Sequence, residues 1–165
     1  MNIKKILINS FKVGLEAVKP INIVKDNLPS PPKGRTYVIG AGKAAASMAK
    51  AIEINWPKKS LLNGSVITRY KHSLKTKKIK VYESGHPMPD ASGMKAANNF
   101  ISNINDLNKD DLLLCLISGG GSSLMSVPQD GLNMNDLKDI TKNLLNCGAE
   151  ISEINTVRKH LSKTH

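Results

Sequence analysis

The chain has 165 residues, 40% hydrophobic and 22% charged, which is enough for one domain with its own core and too little for the two-domain plan of most nucleotide-dependent enzymes. Its net charge of +11 is uneven: residues 1–82 hold 17 basic and 3 acidic side chains, and residues 83–165 hold 7 and 10. Only Arg35, Arg69 and Arg158 among the 24 basic residues are arginines, and aromatics make up 4% of the chain, so the means of reading or stacking on bases are few and nucleic acid is not the expected partner.

The lysine excess is read first as a compositional bias that accompanies the many Asn and Ile residues, and second as a means of raising the local concentration of a small anionic ligand. The two cysteines, Cys115 and Cys147, offer neither a disulfide framework nor metal-ligand spacing, so a reducing, cytoplasmic setting is expected. The long uncharged stretch 112–129 is broken by Gly119-Gly120-Gly121, serines and Pro128, so no membrane span is expected.

In chain order, Ile3 to Val18 has apolar residues at helical intervals, with Pro20 closing the helix and the Pro29 to Gly34 cluster acting as a connector. Thr36 to Ile39 reads as a strand that turns at Gly40-Ala41-Gly42 into an Ala-rich helix over Lys43 to Ile54. Ser65 to Thr68 and Ile79 to Tyr82 are further strands, and Asp90 is positioned to cap a helix over Ala91 to Ile104. Leu112 to Ile117 is a continuous apolar run, the pattern of a strand buried on both faces. Two amphipathic helices follow, over Asn135 to Cys147 and Ser152 to Ser162. The alternation predicts an α/β fold with a mostly parallel sheet and flanking helices. The short link Tyr70 to Lys77 leaves the second and third strands either antiparallel or joined by a long bare loop. The final amphipathic helix, with no closing glycine after it, leads to the expectation that the domain is incomplete at its C-terminus.

Ligands of parallel sheets bind beyond the carboxyl ends of the strands, so chemistry is sought there. The first end, Gly40-Ala41-Gly42-Lys43, permits a tight turn against a phosphate, with Lys43 as a mobile cation. It also satisfies the weak dinucleotide pattern Gly-x-Gly-x-x-Ala, but the acidic ribose ligand is missing; Arg69 at the second end suits a 2′-phosphate instead. Glycines that merely allow close helix and strand packing are the plainer reading of the same turn. At the third end, Pro87 and Pro89 stiffen a loop holding Glu83, His86 and Asp90, a place for a proton acceptor or a magnesium ligand, or simply for a loop hydrogen bond and a helix cap. The fourth end, Ser118-Gly119-Gly120-Gly121-Ser122-Ser123, is the most informative: three consecutive glycines after a buried strand point to backbone N–H groups converging on a phosphate or carboxylate. No serine there has glycine at both −2 and +2, so a hydrolase elbow is excluded.

Taken in order, these segments resemble the glycerate 2-kinase family. The resemblance is carried by Val38 to Ala44, Val66 to Tyr70, Glu83 to Asp90, Leu116 to Leu124 and Glu153 to Ser162. It implies a Rossmann-like fold, with residues 1–165 as the N-terminal part of that domain and the C-terminal domain called MOFRL absent. It further implies transfer of the ATP γ-phosphoryl group to a hydroxyl of D-glycerate, 2-phosphoglycerate being the expected product, with ATP and Mg2+ as cofactors. Lys43 then stabilises the transferred phosphoryl group, with Arg69 beside it. Gly40, Gly42 and the run Ser118, Gly119, Gly120, Gly121, Ser122 and Ser123 bind phosphate or carboxylate, and His86, Asn155, Arg158 and Lys159 belong to the same cleft; the magnesium ligands stay unassigned. The 165 residues by themselves are expected to show little or no kinase activity. The competing readings are an NADP-dependent reductase of the hydroxypyruvate type, using Gly-x-Gly-x-x-Ala and Arg69, and a ligand-binding remnant without catalysis.

Overall fold

The computed structural model describes residues 2–164. Its centre is β1 (Thr36–Ala41), buried along nearly its whole length because it lies between two other strands. Before it come α1 (Ile3–Ala17) and α2 (Pro20–Asp26); after it follow α3 (Ala45–Asn55), β2 (Leu62–Arg69), β3 (Ile79–Ser84), α4 (Ala91–Ile104), β4 (Leu112–Ile117), α5 (Gly121–Leu124), α6 (Met134–Asn146) and α7 (Ile151–Leu161). The four strands form one parallel sheet in the order β3-β2-β1-β4. The α/β architecture with a parallel sheet and flanking helices is as expected.

Alternation along β1 splits the core in two. Val38 joins Val66, Ile79 and Leu116 beneath Ala45, Ala49 and Ile52 of α3, while Ala41 and Ile67 pack with Ala96, Ala97 and Phe100 of α4 and Leu124 of α5. Helices therefore cover both faces of the sheet, as its period-two burial requires.

α1 stops before Pro20 as expected, and Pro20 also opens α2 at its first helical position, where a missing N–H has no intrahelical partner to lose. The β2–β3 link is the bare loop, and the strands it joins are parallel. Residues 70–78, when extended, reach roughly 30 Å, longer than the strand they return along. Glu53 of α3 fixes the far end of that loop by accepting the backbone N–H groups of Lys77, Lys78 and Ile79. β4 is not buried on both faces. It is an edge strand: Leu112, Leu114 and Leu116 face the α3 side, whereas Cys115 and Ile117 on the other side are exposed. No described helix covers that side, because α4 and α5 lie over β1, β2 and β3. No described helix is long and apolar enough to cross a membrane.

Candidate anion-binding cleft

The sheet order reverses beside β1: the chain leaves it toward β2 on one side and returns as β4 on the other. The crevice between the carboxyl ends of β1 and β4 is thus the topological switch point at which parallel sheets place their ligands. The Gly40-Ala41-Gly42-Lys43 turn and the Ser118–Gly121 run meet there. They are laced together: Lys43 N–H donates to Gly119 O at 3.0 Å and Ser118 N–H to Ala41 O at 3.1 Å, and Ala44 N–H donates to Ser118 Oγ at 3.1 Å.

This lacing gives Gly40 and Gly42 a different job from the phosphate contact expected of them. A Cβ on Gly40 would lie 2.4 Å from Leu116 O, and one on Gly42 2.0 Å from Ser118 Oγ, so both glycines make room for β4. The amides of the turn are consumed as well, since Gly42 N–H donates to Ile67 O and Ala45 N–H to Gly42 O. The turn is packing, with no row of amides left to cradle an anion, and what it offers a ligand is the exposed Lys43 side chain. Ser118 likewise spends its hydroxyl on Ala44.

The glycine run is open at Gly119, whereas Gly121 is buried against Ala41 and donates its N–H to Ser118 O. Nothing lies within 4 Å of a Cβ built on Gly119. Gly120 takes a left-handed conformation with φ of 88°, and its absent side chain leaves the place filled by two others: a Cβ there would stand 2.6 Å from His86 Nε2 and 3.4 Å from Lys43 Cε. The ends of β1, β3 and β4 therefore converge on one point, where a lysine and an imidazole flank a bare backbone. The His86–Pro87 peptide bond is cis.

From this point a cleft of about 370 Å³ runs toward α6 and α7, lined by His86, Gly120, Ser122, Ser123, Asn155 and Arg158 on its polar side. Thr141, Leu145, Ile151 and Ile154 form its apolar side. An adjoining hollow of about 340 Å³ is shared by Ser122, Asn155, Arg158 and Lys159. α7 is held in place by its own end: Ser162 Oγ accepts Val127 N–H, and Lys163 N–H donates to Val127 O. Arg158, on the inner face of that helix, has its guanidinium charge disfavoured by burial.

The electrostatics are of one sign. Burial pushes the His86 pKa down, and the positive charges of Lys43, Arg69 and Arg158 push it further in the same direction. His86 is thus held neutral by a field that an anion would neutralise. Arg69, at the end of β2, lines neither hollow and reaches the site only through its charge on His86. Acidic groups nearby are already engaged. Glu83 accepts the N–H groups of His72 and Ser73 at 3.2 Å, and Asp90 is bonded within the protein as described below. Among the described residues no three His, Cys, Asp or Glu side chains gather where a metal ion would sit. The cationic groups and the open backbone at Gly119 fit the phosphates of ATP or a carboxylate.

Of the residues singled out in the sequence, Lys43, His86, Gly120, Ser122, Ser123, Asn155 and Arg158 lie together in the fold. The lining from α6 and α7 was not legible there, because Thr141 and Ile154 carry the same helical spacing as any core face.

Residues 6–165 match the profile of a family described as a domain of unknown function, DUF4147. The D-glycerate 2-kinase of Thermotoga maritima is 41% identical over 98% of the chain and 39% of its own length. A protein of Agrobacterium vitis named as a hydroxypyruvate reductase is 43% identical over 96% of the chain and 36% of its own length. Among solved structures, the Thermotoga maritima glycerate kinase superposes with a TM-score of 0.86 over 98% of the chain and 39% of the other, at 41% identity. A Pyrococcus horikoshii protein gives 0.84 over 99% and 39%, at 38% identity. The chain thus spans well under half the length of the relatives it matches.

Proposed function

Because the chain belongs to the DUF4147 family, the N-terminal domain of glycerate 2-kinases, we propose that its cleft takes part in ATP-dependent phosphorylation of D-glycerate, with 2-phosphoglycerate as product, in the cytoplasm. Residues 1–165 are on this reading the N-terminal part of that enzyme's first domain. The observation that carries it is the convergence of Lys43 and His86 on the bare backbone of Gly120, with Arg69 and Arg158 contributing to the same positive field.

Phosphoryl transfer asks the protein for position and positive potential more than for a covalent nucleophile. ATP supplies the phosphoryl group, with magnesium as the counter-ion of its phosphates; no residue here is assigned to that ion. Lys43, on a turn held rigid by β4, is placed to stabilise the charge that develops on a transferring group. Arg158, with Asn155 and Lys159 on the same helix, orients the anionic end of the substrate, and the Gly119–Ser123 segment admits it against backbone. His86, held neutral before binding, gains a proton as the anion enters and then donates to it. The buried Ile154 closes the cleft on the α7 side, while Leu145 and Ile151 are exposed at its rim.

A thermal melt of the chain with D-glycerate, Mg-ATP or NADPH tests this, since a ligand that binds only the folded form raises the midpoint. The expected result is a rise with D-glycerate or Mg-ATP that Lys43→Ala removes. A rise with NADPH alone would overturn it in favour of the reductase reading, whose support is the name of the Agrobacterium relative.

A further inference from the structure

His86 reaches the cleft from a turn, and that turn is fastened at one carboxylate. Asp90 accepts four hydrogen bonds: from Tyr70 Oη at 2.7 Å, Ser84 Oγ at 2.9 Å, Gly85 N–H at 2.9 Å and Gly93 N–H at 3.0 Å. Only the last belongs to an N-cap, which Asp90 is for α4. The other three come from just past the end of β2, from the end of β3 and from the turn, and capping a helix requires none of them.

The turn is closed onto the carboxylate. A Cβ at Gly85 would stand 2.5 Å from Met88 O and 3.1 Å from Asp90 Oδ2, so the backbone beside His86 has little room to shift while Asp90 is in place. The next residue in the chain is His86, with Nε2 against Gly120. We propose that Asp90 is a positioning residue for His86: its carboxylate joins Tyr70, Ser84 and the start of α4 to the Gly85 amide, and so presents the imidazole to Gly120 and Lys43. The carboxylate engages no ligand itself, since hydrogen bonds from four protein donors surround it. The inference rests on the cleft being the anion site proposed above, but the placement of His86 is measurable with no ligand present.

The experiment is an NMR titration of the His86 ring protons in the 165-residue chain, assigned by the signal lost in His86→Gln, and repeated in Asp90→Asn and Tyr70→Phe. D-glycerate is titrated into each at fixed pH. With the turn released, His86 leaves the field of Lys43, Arg69 and Arg158, so its pKa is expected to rise toward the ordinary value of about 6.5 in Asp90→Asn and by less in Tyr70→Phe. The D-glycerate dissociation constant is expected to rise roughly tenfold in Asp90→Asn, as for loss of one charged hydrogen bond.

A folded Asp90→Asn chain in which the His86 pKa is unchanged, or falls as loss of the Asp90 charge alone would make it, would overturn the proposal. Should Asp90→Asn fail to fold, Tyr70→Phe decides, because it removes one exposed hydroxyl: an unchanged His86 titration there reduces Asp90 to a structural cap. If the titration moves in the variants while D-glycerate perturbs no signal of the wild-type chain, the positioning role stands and the substrate reading falls.

Discussion

Gly120 is the position whose missing side chain leaves room for the groups of the site. Its φ of 88° and the 2.6 Å approach of His86 Nε2 mean that a methyl group both strains the backbone, by about 1–2 kcal/mol, and displaces the imidazole. Gly120→Ala is expected to keep the fold and to weaken D-glycerate binding by at least tenfold, by calorimetric titration; unchanged affinity would separate His86 from the site. His86 also links binding to pH. Burial and its cationic neighbours lower its pKa in the fold, so its contribution to stability is complete above the unfolded value and is lost as pH falls through the folded one. Binding of an anion has the opposite sign: it favours the imidazolium, so the complex takes up a proton. D-glycerate affinity is therefore expected to increase from about pH 7.5 to 6 while the melting midpoint falls. Titration in buffers of differing ionisation enthalpy measures the uptake, and none detected would contradict it.

Among the elements, the β2–β3 connection depends most on one side chain. Burial pushes the Glu53 carboxyl up, but the N–H groups of Ile79, Lys77 and Lys78 outweigh it and hold the pKa below the ordinary value. Glu53→Ala leaves those amides to solvent and should lower stability by about 1–2 kcal/mol in denaturant unfolding. An unaltered midpoint would mean that the loop needs no anchor.

The bounds of α4 and β4 were legible in the sequence, because Asp90 precedes a helical period and Leu112–Ile117 is an unbroken apolar run. The burial of β4 was not. An apolar run reads alike in the middle and at the edge of a sheet, and only the strand order decides. Pro20 was ambiguous for a similar reason, since proline suits both a helix boundary and a first helical turn. Of the four strand ends singled out, those of β1, β3 and β4 meet and that of β2 stands apart, and glycines that admit a neighbouring strand share one signature with glycines that admit a ligand. Packing then separated Gly40 and Gly42 from Gly119 and Gly120. The Asp90 network joins residues 20 positions apart in the chain, a distance at which no local pattern speaks.

At the scale of the whole molecule, large apolar surface is uncovered. α1 buries none of its residues, with Phe11 68% and Leu7 65% exposed, and Ile117 on the open side of β4 is 58% exposed. Patches of this kind and an unpaired apolar edge favour association. The 165-residue chain is expected to self-associate with rising concentration in sedimentation velocity, and a monodisperse monomer at high concentration would contradict that. Catalysis by these residues alone is expected to be slight, because the cleft is walled on the sheet side and along α6 and α7 and is otherwise open.

What enters this cleft decides its function, and chemical-shift mapping of D-glycerate on the isotope-labelled chain reads that out. Perturbations centred on His86, Gly119, Gly120 and Arg158, and abolished by Lys43→Ala, are the predicted result. Perturbations confined to other surfaces, or unaffected by Lys43→Ala, would contradict it.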